Sequence, residues 1–172
     1  MINWKVKEMT GKRALLGLCL LLCIYFVVQQ LTAVKVGDPA FSIVPIPDTS
    51  KLSEEITINV AANRITDVFG YEVNVDFDGS RLVFSKATSM IPGVSIVPIV
   101  KEGRLQFAST KTGKDGGESG DLVLCSLTFR TIAPGKAAFS LASIKLVDSQ
   151  ITQTVYNPKA RTYVKISSKE SL

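Results

Sequence analysis

The chain of 172 residues contains no histidine, and this absence removes a large share of active-site chemistry. Without imidazole there is no Ser-His-Asp or Cys-His nucleophile pair, no histidine general base and no histidine-ligated zinc. Cysteine is scarce as well. Cys19 and Cys23 fall in an apolar N-terminal run, so the remainder keeps only Cys125 and cannot close an internal disulfide. Cys125 shares the parity of Val123, Leu127 and Phe129 and reads as a small buried hydrophobe; a reactive thiol would need exposure and a nearby cation. The single tryptophan, Trp4, precedes that run, so nothing after it offers an indole platform for a sugar ring. Tyr71, Tyr156 and Tyr163 form no evident linear strip, and Tyr71 has an inward parity. A glycosidase needs two carboxylates facing each other across a cleft, whereas Glu72, Asp76 and Asp78 are neighbours on one strand face. These residues describe a protein that is not an enzyme.

The formal charge is +5, yet Lys5, Lys7, Lys12 and Arg13 against Glu8 place +3 of it within the first thirteen residues. No basic patch interleaved with aromatics remains, which sets nucleic acid aside as a partner. Residues 14–28 read ALLGLCLLLCIYFVV without a charge. An apolar run behind a positive flank is the pattern of a signal peptide or a signal anchor. Fifteen residues are short for a span of about twenty; extension to Val34 gives twenty-one and takes in Gln29 and Gln30. Leu precedes both Cys19 and Cys23, which does not suit a lipoprotein signal. The expected organisation is a basic cytoplasmic segment over 1–13, a transmembrane signal anchor or signal peptide over 14–34, a domain over 35–166 and a polar tail over 167–172. On the anchor reading the protein is single-pass in the cell membrane with its C-terminal domain outside. On the other, cleavage near Ala33 releases a secreted domain. Both readings place Lys35 onward beyond the cytoplasm.

Alternation dominates the domain. In 69–78, Phe69, Tyr71, Val73, Val75 and Phe77 occupy one parity and Glu72, Asn74, Asp76 and Asp78 the other, the period of a strand with one buried face. Further strands are expected over 41–45, 56–60, 81–84, 94–100, 104–109, 121–132, 137–141, 144–147 and 162–166. Pro45 suits the first of them to a sheet edge. Asp78-Gly79, Pro92-Gly93, Glu102-Gly103, Gly116-Gly117 and Pro134-Gly135 mark turns between them. Many short strands punctuated in this way predict an all-β, antiparallel sandwich of jelly-roll type with about nine strands, preceded by one N-terminal hydrophobic helix.

Residues 111–121, KTGKDGGESGD, form a glycine-rich loop without EF-hand or phosphate-loop spacing. Asp115, Glu118 and Asp121 are weak calcium candidates, since calcium accepts irregular oxygen ligands. Lys111 and Lys114 in the same loop favour a plain surface turn. No cofactor is expected.

In order, the 69–78 strand, GRLQFAS at 103–109, GDLVLCSLTFR at 120–130 and GKAAFSLASIKLVD at 135–148 resemble the cohesin domain, the dockerin-binding module of bacterial cellulosome scaffolds and cell-surface proteins. The resemblance spans roughly 41–166. Gly79 follows Phe77-Asp78 where the family has a Tyr-Asp-Pro corner. The resemblance implies a flat sheet face that binds a dockerin-like protein. Matching the corner to Phe77-Asp78 places Glu72 and Asn74 on that face, and matching the family's Phe-Ala strand end to Phe107-Ala108 adds Arg104, Gln106, Ser109 and Thr110. The implied protein is a non-catalytic cell-surface binding module in a polysaccharide-degrading or surface-assembly context. The alternatives are a carbohydrate-binding module with polysaccharide as its partner, and a structural subunit of a surface appendage or secretion machine.

Overall fold

The alternating run becomes β4 (Gly70–Phe77), in which Tyr71, Val73 and Val75 are buried while Glu72, Asn74 and Asp76 lie half-buried on the opposite side. Residues 38–168 are described by this computed structural model, and they contain strands and no helix. The expectations for 1–34, and most of those for the tail, fall outside the described residues. In chain order the other strands are β1 (Ala40–Ile46), β2 (Thr49–Lys51), β3 (Glu55–Val68), β5 (Leu82–Ser89), β6 (Val94–Ser95), β7 (Ile99–Lys101), β8 (Arg104–Thr110), β9 (Glu118–Thr131), β10 (Gly135–Val147), β11 (Gln153–Tyr156) and β12 (Arg161–Ser167). Nine of the twelve have four residues or more.

They form two sheets. One runs β1-β3-β9-β5; the other runs β2-β12-β10-β4-β8-β6, with β11 on β10 and β7 on β8. Every pairing is antiparallel except the short parallel one between β2 and β12. Inward side chains from both sheets meet in one apolar layer, and Phe129 sits at its aromatic centre. Its ring centroid lies 5.0 Å from Phe77, 5.7 Å from Phe84 and 5.1 Å from Phe139, the tilted and edge-on geometry that aromatic rings prefer. Cys125 is fully buried in the same layer and unpaired. Burial pushes its thiol pKa well up, which leaves it inert at neutral pH.

The strands differ from expectation where the period of two breaks. The segments expected at 137–141 and 144–147 are one strand, β10, with a register shift between Leu141 and Ser143 against β4. A bulge of this kind inserts a residue without ending the ladder. The run at 56–60 continues to Val68 through shifts at Ala62/Ile65 and Ile65/Val68, where Arg64 and Asp67 take positive φ. The strand expected over 94–100 is instead two short edge pieces, β6 and β7, separated by residues 96–98. β7 returns into β8 through a two-residue turn with Glu102 at φ 51° and Gly103 at φ 77°, the primed turn that matches strand twist and favours glycine.

Truncating Phe129 to Ala removes the hub of the aromatic layer. The expected loss is about 3–5 kcal/mol of unfolding free energy, read from urea denaturation. A loss under about 1 kcal/mol would mean that the two sheets do not depend on this contact.

Candidate functional site

β4 lies between β10 and β8, so its outward side chains sit mid-sheet with partners on both sides. Register places Lys145, Glu72 and Ala108 in one row across the three strands. Ser143, Asn74 and Gln106 form the next row, and Ser140, Asp76 and Arg104 the third. The rows are cross-linked. Asn74 Nδ2 donates to Glu72 Oε1 and to Ser143 Oγ, each at 3.1 Å. Lys145 Nζ lies 3.7 Å from Glu72 Oε2. Arg104 grips Asp76 through two bonds, Nε to Oδ1 at 2.6 Å and Nη2 to Oδ2 at 3.2 Å, and this bond and the carboxylate charge raise the guanidinium pKa further. Such exposed pairs are worth at most about 1 kcal/mol each. Their consequence is positional: they hold the polar atoms of the face in one arrangement before any partner arrives.

Glu72, Asn74, Arg104, Gln106 and Thr110 all project to this side of the sheet. Ser109 does not. It shares the inward parity of Leu105 and Phe107, is 5% exposed, and its hydroxyl donates to the Val94 carbonyl and accepts from Ser95 Oγ at 3.0 Å. Consecutive strand residues point to opposite faces, so Ser109 and Thr110 cannot serve one surface together; Ser109 is a structural tie between β8 and β6. Glu72 is also more engaged than a free acid would be, being bonded to Asn74 and paired with Lys145.

Sequence reasoning missed the apolar rim of the face. Residues 94–100 read as one strand with no side assigned to it, and Val94, Ile96, Val97, Ile99 and Val100 are exposed, Val97 by 85% and Ile99 by 56%. Pro98 interrupts the run, and the two short pieces pair only with β8 at the sheet edge, leaving their side chains uncovered. Ile99 and Lys101 border a shallow depression of about 500 Å³ with Asn74, Asp76, Arg104 and Gln106 at its base. A second depression of about 410 Å³ opens near Phe69, Ile96, Ala108 and Ile151. The face is therefore polar in the middle and apolar along the β6–β7 edge.

The three calcium candidates do not converge. Glu118 pairs with Lys111 at 2.7 Å, Asp121 accepts the Arg64 amide at 2.9 Å, and Asp115 is exposed. Among the described residues no three His, Cys, Asp or Glu side chains are placed to hold a metal. The loop is organised by Asp67 on the bulged end of β3. Its Oδ1 accepts the Gly117 amide at 2.8 Å and its Oδ2 accepts the Ser149 amide and hydroxyl at 3.2 and 2.6 Å. The backbone passes so close that a Cβ on Gly117 would lie 2.2 Å from the Asp67 carbonyl carbon.

Solved structures with this architecture are cohesin modules. A cohesin module of a family 33 glycoside hydrolase from Clostridium perfringens is 12% identical, with 77% of this chain and 98% of that one covered at a TM-score of 0.62. A non-cellulosomal cohesin from the archaeon Archaeoglobus fulgidus is 15% identical, covering 77% and 93% at 0.60. A type I cohesin from Clostridium thermocellum, solved in complex with a dockerin, is 13% identical, covering 76% and 100% at 0.60. At these identities the likeness is one of fold, and the chain has the cohesin fold. No family model and no curated protein sequence matches it.

The Asp67 cluster makes a pH-dependent contribution with a definite sign. The Ser149 hydroxyl first, then the Gly117 amide, hold the Asp67 carboxyl below the ordinary aspartate value. Its stabilisation is thus complete above the unfolded-chain value of about 3.9 and is lost as pH falls through the lower folded value. Asp67→Asn should lower Tm at pH 7 and change it much less at pH 2.5. An equal penalty at both pH values would show that the charge is not what secures the loop.

Proposed function

We propose that this protein is a non-catalytic recognition module that takes a helical protein partner of dockerin type on the β10-β4-β8 face. The carrying observation is the cross-linked polar row Glu72–Asn74–Asp76 with the uncovered apolar edge beside it. A pre-ordered row of donors and acceptors supplies register and specificity, and adjacent exposed aliphatic side chains supply the area whose burial drives association. The absence of histidine supports a role without catalysis. The type I relative solved with a dockerin supports the class of partner. The basic flank and apolar run of residues 1–34 support display on a membrane, or secretion, with the domain outside the cell and serving polysaccharide degradation or surface assembly.

Gln106 and Ile99 are the residues to change, since neither side chain makes a hydrogen bond or ion pair among the described residues and both border the central depression. Glu72→Lys is a poorer probe because it would set one ammonium against Lys145. Immobilised full-length chain, tested against a panel of dockerin modules, should retain at least one. Gln106→Arg and Ile99→Asp should each weaken that binding by about 30-fold, the effect of a central interface residue, while unfolding free energy stays within about 0.5 kcal/mol of the parent. Equal binding by parent and both variants would exclude this face. Failure of the parent to retain any module would exclude the dockerin class.

A further inference from the structure

A separate cluster lies on the outer side of the same sheet, on β12 and the first half of β10. Arg161, Tyr163 and Lys165 alternate along β12 with Val164 and Ile166, which are buried, so all three point outward. Across the ladder they face Ser140, Ala138 and Lys136 in turn. Tyr163 is 47% exposed, and Lys136 Nζ lies 3.9 Å from its ring centroid. Among the described residues Tyr163 is the exposed tyrosine: Tyr71 is buried, and Tyr156 is half-buried against Phe41 at 4.9 Å.

Among the described residues Lys136, Arg161 and Lys165 have no carboxylate within 4.0 Å, whereas Arg81, Arg104, Lys111 and Lys145 each have one. Lys136 and Lys165 stand directly opposite each other across the strands, a like-charge pairing that destabilises a sheet. Two depressions flank the tyrosine. One of about 350 Å³ has Arg161 at its wall, with Asp76 and Asp78 already held by Arg104 and Arg81. The other, about 520 Å³, has Lys136 and Lys165 with Asp48 as its only acid, leaving an excess of positive charge.

From this arrangement we infer that the β12 surface binds an acidic polysaccharide, a chain of sugar rings bearing carboxylates such as a uronan. The Lys136 ammonium moves from the Tyr163 ring to a sugar carboxylate, a sugar's C–H face takes its place on the ring, and the carboxylates of neighbouring residues meet Arg161 on one side and Lys136 with Lys165 on the other. Alternate residues on a strand are about 7 Å apart, so the cations bracket the ring in a line rather than crowding one point. The aromatic face distinguishes this site from a plain polyanion patch, which needs only charge. It adjoins the protein-binding face at Asp76 and Ser140, but its ring and cations lie on β12 and the first half of β10, on the side of β4 away from the apolar β6–β7 edge.

The test is equilibrium binding of the full chain to oligogalacturonate, with its methyl ester as the uncharged control and phosphatidylglycerol vesicles and a single-stranded oligonucleotide as competing polyanions. The oligogalacturonate should bind, the ester should not, and binding should weaken as salt screens the cations. Tyr163→Ala and Lys165→Gln should each lower affinity at least about fivefold, the loss of one stacking or charge-assisted contact. Lys165→Gln should also raise Tm, because it relieves the Lys136 repulsion; this shows that its binding defect is not unfolding. Gln106→Arg should leave oligogalacturonate binding unchanged, which separates this site from the protein-binding face. Unaltered binding by Tyr163→Ala, retention of the ester, or tighter binding to the vesicles or the oligonucleotide would each overturn the inference.

Discussion

The register of β4 between β10 and β8 fixes which of its side chains reach the core, and a slip of one residue would exchange the two sets. Tyr71, Val73 and Val75 inside and Glu72, Asn74 and Asp76 outside are therefore one constraint seen from two sides. Burial of the first set against Phe107 and the opposite sheet holds the second set in place. The outward row then adds its own cross-strand bonds, Asn74 to Ser143 and Asp76 to Arg104. The bonds contribute little stability individually. They convert a solvated sheet surface into a fixed pattern of donors and acceptors.

Around that centre the fold relegates irregularity to the ends and edges. The bulges of β3 bend the strand away from a regular ladder, and the amides of Arg64 and Asp67 freed there are taken up by Asp121 and Ser119. The same Asp67 carboxylate fixes the glycine-rich loop. On the far edge, β6 and β7 are too short to cover their own aliphatic side chains. An edge of this kind attracts other chains unless something occupies it, and in this protein it borders the one polar row that is already ordered.

Much of this was legible in the residues because strand parity is a strict rule. The inward and outward sets of 71–76, the burial of Cys125 and the turn at Glu102-Gly103 follow from alternation and from the need for positive φ. Ser109 was misplaced because the match to a family strand end overrode parity, which would have sent it inward beside Phe107. The exposure of 94–100 was not legible, since VSIVPIV has no regular period to say which side is covered and the shortness of its pairing is a tertiary fact. Asp67 carried no signal either, because its partners Gly117 and Ser149 lie 50 and 82 residues away. The ordered set of short segments did lead to the cohesin fold, although no single one of them would have done so.

Amide hydrogen exchange of the full chain, alone and saturated with a captured protein partner, tests the central claim most directly. The account predicts that the partner slows exchange in β8, β6 and β7 and in the intervening residues 96–98, with β4 among the slowest amides in both states because both its edges are paired. Protection concentrated instead on β1, β3, β9 or β5 would place recognition on the other sheet and contradict the account.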